Sequence, residues 1–284
     1  MQTHEIAVEE GTLRLVRFGE GDRLVIAVHG ILGSLMTWAP VAAALPEGHA
    51  LLAMDLRGHG HSYRVPGPYG LDRLSDDVLA VVDRFGGPDT VLAGHSMGGT
   101  IAALVGAQRS FRKVVMIDGG LPLPVPEDAD AEQVMQGMFG QAIARLGQTF
   151  PSLETYRTFF LDHPVFAGWR TEGSERYADY DALNTAAGFR SRVREDAVRE
   201  NGRWLASQGG AIAAALEKVS SPLVLLRASR GRLDEPGGMI REEVAAEWRR
   251  RLPGLHDEVL DDCNHYSVLF DPRCVERIAA VLTG

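Results

Sequence analysis

Cysteine and long apolar runs are scarce in this 284-residue sequence. Its two cysteines, Cys263 and Cys274, are too few to build a disulfide framework. No apolar run reaches the roughly 20 residues that a bilayer-spanning helix needs, and the N-terminal residues MQTHEIAVEE lack the basic segment and apolar core of a signal peptide. We therefore expect a reduced, cytoplasmic protein without a membrane partner.

Basic residues are also fewer than acidic residues, with 29 Lys and Arg against 38 Asp and Glu. The formal net charge is −9, acidic residues are spread along the chain, and no basic stripe is present. A nucleic-acid partner is therefore not expected, because phosphate recognition needs clustered cations. Because 45% of the residues are hydrophobic and only 24% are charged, the chain can bury a large core, as globular proteins do.

Several apolar segments predict strands. A β-hairpin is predicted by EIAVEE and TLRLVRF, with Gly11 at the turn between them. Nearly continuous apolar runs follow in RLVIAVHG, HALLAMDLRG, TVLAGHS, KVVMIDGG and PLVLLRAS. Continuous runs indicate strands that are buried on both faces, as in a parallel sheet.

Helical patterns separate these runs. Apolar residues recur at helical spacing from Leu71 to Phe85, and Gly86 follows as a C-cap. Two further helices are predicted by MGGTIAALVGAQRS and EEVAAEWRRRL. The alternation of strands and helices predicts an α/β fold with right-handed crossovers and a mostly parallel sheet, flanked by helices on both faces.

The alternation stops between about Leu121 and Ser220. This segment opens with the proline-rich LPLPVPE, is helical in pattern and shows no strand-like run. We predict that residues 1–120 and 221–284 form a core domain and that residues 121–220 form a helical cap insertion. We expect most of its large residues to form its own core and a minority to line a pocket: Met135, Met138, Phe139, Phe150, Tyr156, Phe159, Phe160, Phe166, Trp169, Tyr177, Tyr180, Phe189 and Trp204.

The motif Gly94-His95-Ser96-Met97-Gly98 matches G-x-S-x-G and lies between a buried strand and a helix. In such a tight turn, side chains in place of the two glycines would collide with neighbouring backbone. The turn holds the serine in a strained conformation with its hydroxyl exposed. Ser96 is therefore the predicted nucleophile.

An oxyanion hole needs two N–H donors. The first predicted donor is the backbone N–H of Met97, at the N-terminus of the helix that follows the nucleophile. The second comes from the loop His29-Gly30-Ile31 after an earlier strand, and we assign it to Ile31. We expect His29 to brace this loop rather than to react.

Four motifs together resemble the α/β-hydrolase superfamily, specifically its small cytoplasmic members with a helical cap. They are HGILGS, MDLRGHGHS, GHSMGG and DDCNHYSVL. The resemblance covers nearly the whole chain and implies the α/β-hydrolase fold. In that family a D-x-R-G-x-G-x-S segment braces the loops around the site, and the matching residues are Asp55, Arg57, Gly58, Gly60 and Ser62.

The resemblance also implies a triad in the chain order serine, acid, histidine. His265 lies in the loop after the last predicted strand, where the family places its base. The family's usual acid position holds Gly231 and Arg232 instead. Two acids stay open: Asp234, later in the same loop, and Asp118, at the end of the KVVMID strand, a position that some members use.

The predicted function is hydrolysis of a small, fairly apolar ester, thioester or lactone through an acyl-enzyme. No metal or organic cofactor is expected, because no Cys/His cluster has zinc spacing and GHSMGGT lacks the phosphate-loop pattern. One alternative is a C–C bond hydrolase of a vinylogous diketone, for which Arg170, Arg190 or Arg192 would hold a substrate carboxylate. Another is a small-molecule receptor on the same fold. The residues that bind substrate and the oligomeric state stay open.

Overall fold

The computed structural model describes residues 1–126, 128–162 and 170–284, and an eight-stranded sheet forms its centre. In chain order, the strands of these residues are β1 (Gln2–Val8), β2 (Gly11–Phe18), β3 (Arg23–Val28), β4 (His49–Met54), β5 (Val91–His95), β6 (Lys113–Ile117), β7 (Ala182–Thr185), β8 (Gly188–Ser191), β9 (Leu223–Ala228) and β10 (Leu255–Leu260). The central sheet has the order β1-β2-β4-β3-β5-β6-β9-β10. The pairs β1–β2 and β2–β4 are antiparallel and the other pairs are parallel, which confirms the predicted mostly parallel sheet.

Helices cover both faces of this sheet. Those of the described residues are α1 (Ala39–Ala43), α2 (Leu71–Phe85), α3 (Met97–Gly106), α4 (Ala131–Leu146), α5 (Leu153–Leu161), α6 (Glu172–Asp181), α7 (Glu195–Ser207), α8 (Gly209–Lys218), α9 (Glu242–Arg251) and α10 (Pro272–Thr283). Ile26 of β3 belongs to the same apolar cluster as Leu74 of α2 and Ile101 of α3. Its neighbour Ala27 belongs to a second cluster with Val41 of α1. Successive residues of the strand therefore face two separate cores, as in a sheet buried on both sides.

Most of the local predictions are confirmed, including the helices that became α2, α3 and α9. The predicted hairpin is present as β1 and β2, but Gly11 is not at its turn. The turn lies at Glu9 and Glu10, where Glu10 has a φ of 70°, and Gly11 begins β2. Among the helices described, none is both long and apolar enough to cross a membrane.

The inserted segment (residues 121–220) contains strands as well as helices, so the prediction that it has no strand is wrong. β7 and β8 form an antiparallel hairpin, and Gly188 begins β8 with a φ of 118°. Phe150 and Phe189 exchange two backbone hydrogen bonds of 2.7 and 2.8 Å, which tie this hairpin to the chain between α4 and α5. Each strand has only four residues and little apolar alternation, so the sequence carries no recognisable strand pattern there.

The buried large side chains of residues 121–220 do not form a core of their own, because they belong to the two apolar clusters of the sheet, for example Met135 with Ile26 and Tyr177 with Ala27. Phe159 is exposed, and Phe166 and Trp169 lie outside the described residues. The helix α8 packs against α3 of the sheet layer, so the end of the segment is fixed to the core. Six of the predicted large residues are buried: Met135, Phe139, Phe150, Tyr156, Phe160 and Tyr177.

Asp55, which follows β4, connects its own loop to the segment of Leu35 and to α6. One of its carboxylate oxygens accepts a hydrogen bond from the N–H of Leu35 at 2.8 Å. The other accepts from the N–H of His61 and from the hydroxyl of Tyr180, each at 2.7 Å. Burial outweighs these hydrogen bonds and raises the pKa of Asp55 to about 6.

Arg57 forms a buried ion pair with Asp77 of α2. Its Nε and Nη2 donate to the two carboxylate oxygens at 2.6 and 2.7 Å, and both side chains are at most 2% exposed. Nη1 also donates to the carbonyl oxygen of Pro66 at 2.9 Å. Ser62, at the end of the same segment, accepts from the N–H of Arg14 on β2 at 2.9 Å. These contacts fasten the segment from Asp55 to Ser62 to the sheet and to α2.

Candidate active site

Ser96 lies at the turn between β5 and α3. Its φ of 55° and ψ of −124° are a conformation that a residue with a β-carbon adopts only under strain. A β-carbon on Gly94 would lie 1.9 Å from the carbonyl oxygen of Gly98, and one on Gly98 would lie 2.2 Å from that of Val28. Backbone contact therefore requires both glycines, and the turn exposes the serine side chain.

His265 reaches Ser96 from the loop after β10. Its Nε2 lies 3.0 Å from Oγ of Ser96, and its side chain is buried. The preceding residue, Asn264, fixes the loop because its Oδ1 accepts from the N–H groups of Tyr266 and Ser267, each at 2.9 Å. The structure thus brings the predicted serine and histidine into hydrogen-bond contact.

Asp118 extends this contact to three side chains. Its Oδ2 lies 2.6 Å from Nδ1 of His265, and its Oδ1 accepts from the N–H of Ala228 at 3.1 Å. The side chain is fully buried and directly follows β6, which lies between β5 and β9. Because Nδ1 faces a carboxylate, the imidazole proton resides on Nδ1, and Nε2 is free to accept the proton of Ser96.

Asp234, the other acid that the sequence left open, does not reach His265. Its side chain is half exposed, and its Oδ1 accepts from Nε of Arg230 at 2.8 Å. A longer contact of 3.4 Å joins it to the side-chain amide of Asn264. The hydrogen bond from Arg230 lowers the pKa of Asp234. The structure therefore places Asp118, and not Asp234, beside the imidazole, because the ion pair holds Asp234 at the surface.

A second histidine, His95, packs against His265. Their ring centroids are 4.8 Å apart, and Nε2–H of His95 donates to the carbonyl oxygen of His265 at 2.9 Å. Burial is the largest effect that lowers the pKa of His95, to about 3. The ring is therefore neutral near pH 7 and holds the backbone of His265 without adding positive charge beside it. Sequence reasoning did not identify this contact.

The two predicted oxyanion donors belong to residues that line the space at Ser96. Ile31 and Met97 both border the cavity that opens there. Met97 is the first residue of α3, where backbone N–H groups have no acceptor within the helix. A β-carbon on Gly30 would lie 3.0 Å from that of Ser96, so the loop that carries Ile31 passes close to the serine.

Two buried histidines hold the loop that carries Ile31. Nε2 of His29 accepts from the N–H of Leu56 at 3.1 Å, so Nδ1 carries the proton and donates to the carbonyl oxygen of Gly30 at 2.7 Å. Burial lowers the pKa of His29 well below its ordinary value. The ring nitrogens of His59 lie 2.8 Å from the carbonyl oxygen of Ile31 and 2.9 Å from that of Arg57. The expectation that His29 braces the loop is confirmed.

A cavity of about 280 Å³ opens at Ser96 and His265. Of the large residues named in the inserted segment, the minority that line it are Met138, Phe139 and Tyr177. Further lining residues come from the segment between β9 and α9. That segment contributes two arginines and three apolar residues: Arg232, Met239, Ile240, Arg241 and, at the start of α9, Val244.

The three arginines that the sequence suggested for a substrate carboxylate lie elsewhere. Arg170 is exposed and pairs with Asp162 and Glu175. Arg190 and Arg192 border two other surface depressions. None of the three is among the described residues that line the cavity at Ser96. The cavity is lined instead by Arg232 and Arg241. Of these, Arg232 ends the run Arg-Ala-Ser-Arg-Gly-Arg, which begins near the carboxyl end of β9.

Metal-binding side chains are not clustered in the part of the chain that the structure describes: no group of three or more His, Cys, Asp or Glu residues could hold a metal ion there. The two cysteines are free and buried. The hydrogen bond to Cys274, together with burial, raises the pKa of the Cys263 thiol. The Cys263 thiol therefore stays protonated near pH 7.

Known proteins share this fold over the whole chain. The structure of E-2-(acetamidomethylene)succinate hydrolase is 19% identical, covers 100% of this chain and 99% of its own, and superposes with a TM-score of 0.83. The AB hydrolase superfamily protein YfhM of Bacillus subtilis is 25% identical over 94% of this chain and 92% of its own length.

Other matches are shorter. The dihydrolipoyllysine-residue acetyltransferase component of the acetoin cleaving system of Pseudomonas putida is 40% identical over 31% of this chain. This chain covers only 25% of that protein, and no more than 40% of three further curated relatives. The model of the alpha/beta hydrolase family, in contrast, matches residues 25–281. The chain therefore belongs to the alpha/beta hydrolase family.

Proposed function

We propose that this protein is a cofactor-free serine hydrolase that cleaves a small, fairly apolar ester, thioester or lactone. The observation that carries the proposal is the hydrogen-bonded series of Ser96, His265 and Asp118, with distances of 3.0 and 2.6 Å. A serine hydroxyl is a weak nucleophile until a base removes its proton, and a buried carboxylate stabilises the imidazolium that results. In this assignment Ser96 is the nucleophile, His265 the base and Asp118 the acid.

The proposed reaction proceeds in two halves. Oγ of Ser96 attacks the acyl carbon while Nε2 of His265 takes the serine proton. The N–H groups of Met97 and Ile31 donate to the oxyanion that forms. His265 then gives its proton to the leaving group, which departs and leaves the acyl-enzyme. In the second half, His265 takes a proton from a water molecule that attacks the acyl carbon, and it then gives that proton to Oγ of Ser96 as the acid leaves.

The cavity supports a substrate with an apolar body. Its walls include Leu121, Met138, Phe139 and Leu205 of the inserted segment, and burial of apolar surface is favourable by roughly 25 cal/mol per Å². Its volume of about 280 Å³ suits a small molecule rather than a polymer. We propose that the inserted segment acts as a cap over Ser96.

Turnover of short-chain 4-nitrophenyl esters by the wild type, Ser96→Ala and His265→Ala tests the proposal. We expect hydrolysis that depends on both residues. A fluorophosphonate should add its mass to the peptide that contains Ser96 in the wild type and leave Ser96→Ala unlabelled. Ligand binding without Ser96-dependent hydrolysis, across a panel of esters, thioesters and lactones, would overturn the proposal in favour of a small-molecule receptor.

Hydrolysis of a C–C bond in a vinylogous diketone is the second candidate. It is favoured by the arginines Arg232 and Arg241 in the cavity, because such a reaction needs a cation near a substrate carboxylate. The loss of the diketone chromophore measures this activity. A higher kcat/KM for the diketone acid than for any simple ester would favour it over ester hydrolysis.

A further inference from the structure

The cavity at Ser96 has a charge opposite to that of the chain. The formal net charge of the protein is −9. The described residues that line the cavity nevertheless include Arg232 and Arg241 and no aspartate or glutamate. A cavity with apolar walls and positive charge attracts anions, because its low-dielectric walls strengthen the field of the cations.

Arg232 is the arginine held in place on the cavity wall. It is half-buried, its Nη1 donates to the carbonyl oxygen of Met138, and its guanidinium carbon lies 6.0 Å from the ring centroid of Phe139. Both contacts are with α4 of the inserted segment. Arg241, in comparison, is exposed, so solvent screens its charge more strongly.

No carboxylate in the described part of the chain pairs with Arg232. The two acids of its own loop have other partners: Nε of Arg230 donates to the carboxylate of Asp234 at 2.8 Å, and the N–H of Leu233 donates to that of Glu235 at 2.7 Å. By comparison, Arg227 at the end of β9 is paired with both Asp257 and Glu242. No described carboxylate therefore compensates the guanidinium of Arg232, and its donors besides Nη1 are available to a ligand.

We propose that Arg232 determines specificity by binding a carboxylate of the substrate, at the end of the molecule away from the scissile bond. This inference rests on the proposed function, since it places the substrate in the cavity of Ser96. The planar guanidinium matches a carboxylate in shape and donates two parallel hydrogen bonds. The substrate class is accordingly a monoanion with an apolar body, such as the monoester of a short dicarboxylic acid.

Two pairs of synthetic esters test the proposal. In the first pair the acyl chain carries the charge: mono-4-nitrophenyl adipate is compared with 4-nitrophenyl hexanoate. In the second pair the leaving group carries it: 4-carboxyphenyl hexanoate is compared with phenyl hexanoate. The readout is the ratio of kcat/KM for the charged ester to that for the neutral ester.

In at least one pair, Arg232→Met should lower this ratio by about 10- to 100-fold, the size expected when a charge-assisted hydrogen bond is lost. The neutral esters should change little. Arg232→Lys should recover only part of the ratio, because an ammonium lacks the planar fork. Arg190→Met is the matched control, since Arg190 is also half-buried and lies outside this cavity; its ratios should equal those of the wild type.

Equal losses on charged and neutral esters would overturn the proposal, because they would mean that Arg232 only fixes α4 through Met138. An unchanged ratio in both pairs would also overturn it. If no ester shows Ser96-dependent turnover, the proposed function is wrong, but the role of Arg232 can still be tested by measuring ligand binding. In that case calorimetry measures the binding of monobutyl adipate and of butyl hexanoate to the Ser96→Ala and Ser96→Ala/Arg232→Met proteins. Weaker binding of the monoester alone to the double variant supports the proposal. Equal binding of the monoester to the two proteins refutes it.

Discussion

Asp118 lies 2.6 Å from His265 although 147 positions separate them in the sequence. The contact follows from the strand order, because β6 lies between β5 and β9 and ends beside Ser96. The N–H of Asp118 donates to the carbonyl oxygen of Leu226 at 2.7 Å, and its backbone has a φ of 45°. The neighbouring strand thus fixes the backbone that aims this carboxylate at the imidazole.

Replacement of the two aspartates should separate their roles. Asp118→Asn keeps the size of the side chain but presents an amide that favours the wrong tautomer of His265, so kcat should fall on the order of 10⁴-fold. Asp234→Asn removes an exposed ion pair with Arg230 and changes a long contact with Asn264, so kcat should stay within about threefold of the wild type. Steady-state hydrolysis of a 4-nitrophenyl ester measures kcat for both variants, and the Ser96→Ala protein gives the background rate.

Circular dichroism and thermal unfolding of Asp118→Asn provide the control, because the residue is fully buried. A folded variant with near wild-type activity would show that Asp118 is not the acid. A large loss in Asp234→Asn, with Asp118→Asn active, would assign the role to Asp234 and imply that the loop after β9 rearranges during turnover.

The sequence predicted the parts of the site whose chemistry is local. The turn at Ser96 follows from backbone contacts that only glycine permits at Gly94 and Gly98, and a short motif carries that information. His265 could be predicted because the motif DDCNHYSVL resembles the α/β-hydrolase family, which places its base in the loop after the last strand.

Features that depend on distant contacts could not be predicted. The choice between Asp118 and Asp234 depends on whether Arg230 forms an ion pair with the carboxylate of Asp234. Sequence spacing does not predict whether that ion pair forms. Arg232 is held on the cavity wall by the carbonyl oxygen of Met138 in α4, which is 94 positions away in the sequence. The short hairpin of β7 and β8 has no apolar period to reveal it.

Two helical glycines should respond in opposite ways to alanine. A β-carbon on Gly98 would lie 2.2 Å from the carbonyl oxygen of Val28, whereas one on Gly137 in α4 has no neighbour within 4 Å. Gly98→Ala should therefore lower the free energy of unfolding by more than about 2 kcal/mol through overpacking. Gly137→Ala should raise it by about 0.5–1 kcal/mol, because alanine restricts the unfolded chain and favours helix.

Urea unfolding of both variants, followed by circular dichroism, measures the two changes. Each variant is the control for the other, since both substitutions place alanine in a helix. A Gly98→Ala protein as stable as the wild type would contradict the account of the turn at Ser96, since the backbone would then tolerate a side chain there.

The raised pKa of Asp55 predicts how stability depends on pH. Between its ordinary value near 3.8 and the folded value of about 6, the folded protein holds a proton that the unfolded chain has released. The contribution of Asp55 to the free energy of unfolding therefore falls as pH rises through this window, by on the order of 3 kcal/mol, and is constant above it.

Asp55→Asn removes this titration. It should be less stable than the wild type, because its amide group faces N–H and O–H donors from His61 and Tyr180. The difference in unfolding free energy between wild type and variant, measured with urea at pH 4, 5, 6 and 7, should shrink as pH rises. A difference that is constant or grows with pH would show that Asp55 is not protonated in the folded protein at pH 5.

The buried pair of Arg57 and Asp77 should show strong coupling, and a surface pair offers the matched comparison. Arg57→Met and Asp77→Leu should each lower the free energy of unfolding by about 3–5 kcal/mol, since each leaves a buried charge unpaired. The double variant should lower it by much less than the sum of the two single changes. The pair of Arg277 and Glu258 has the same two-point geometry, at 2.6 and 2.7 Å, but its side chains are 48% and 25% exposed.

A double-mutant cycle on Arg277 and Glu258, made of the two single variants and the double variant, should give a coupling energy of less than about 1 kcal/mol, because solvent screens both charges. Urea unfolding at low and high salt measures the two cycles, and salt should weaken the surface coupling more than the buried one. Equal couplings would mean that burial does not strengthen the pair of Arg57 and Asp77. Additive costs at that pair would mean that each side chain stabilises the fold through its other contacts, such as the hydrogen bond from Arg57 to Pro66.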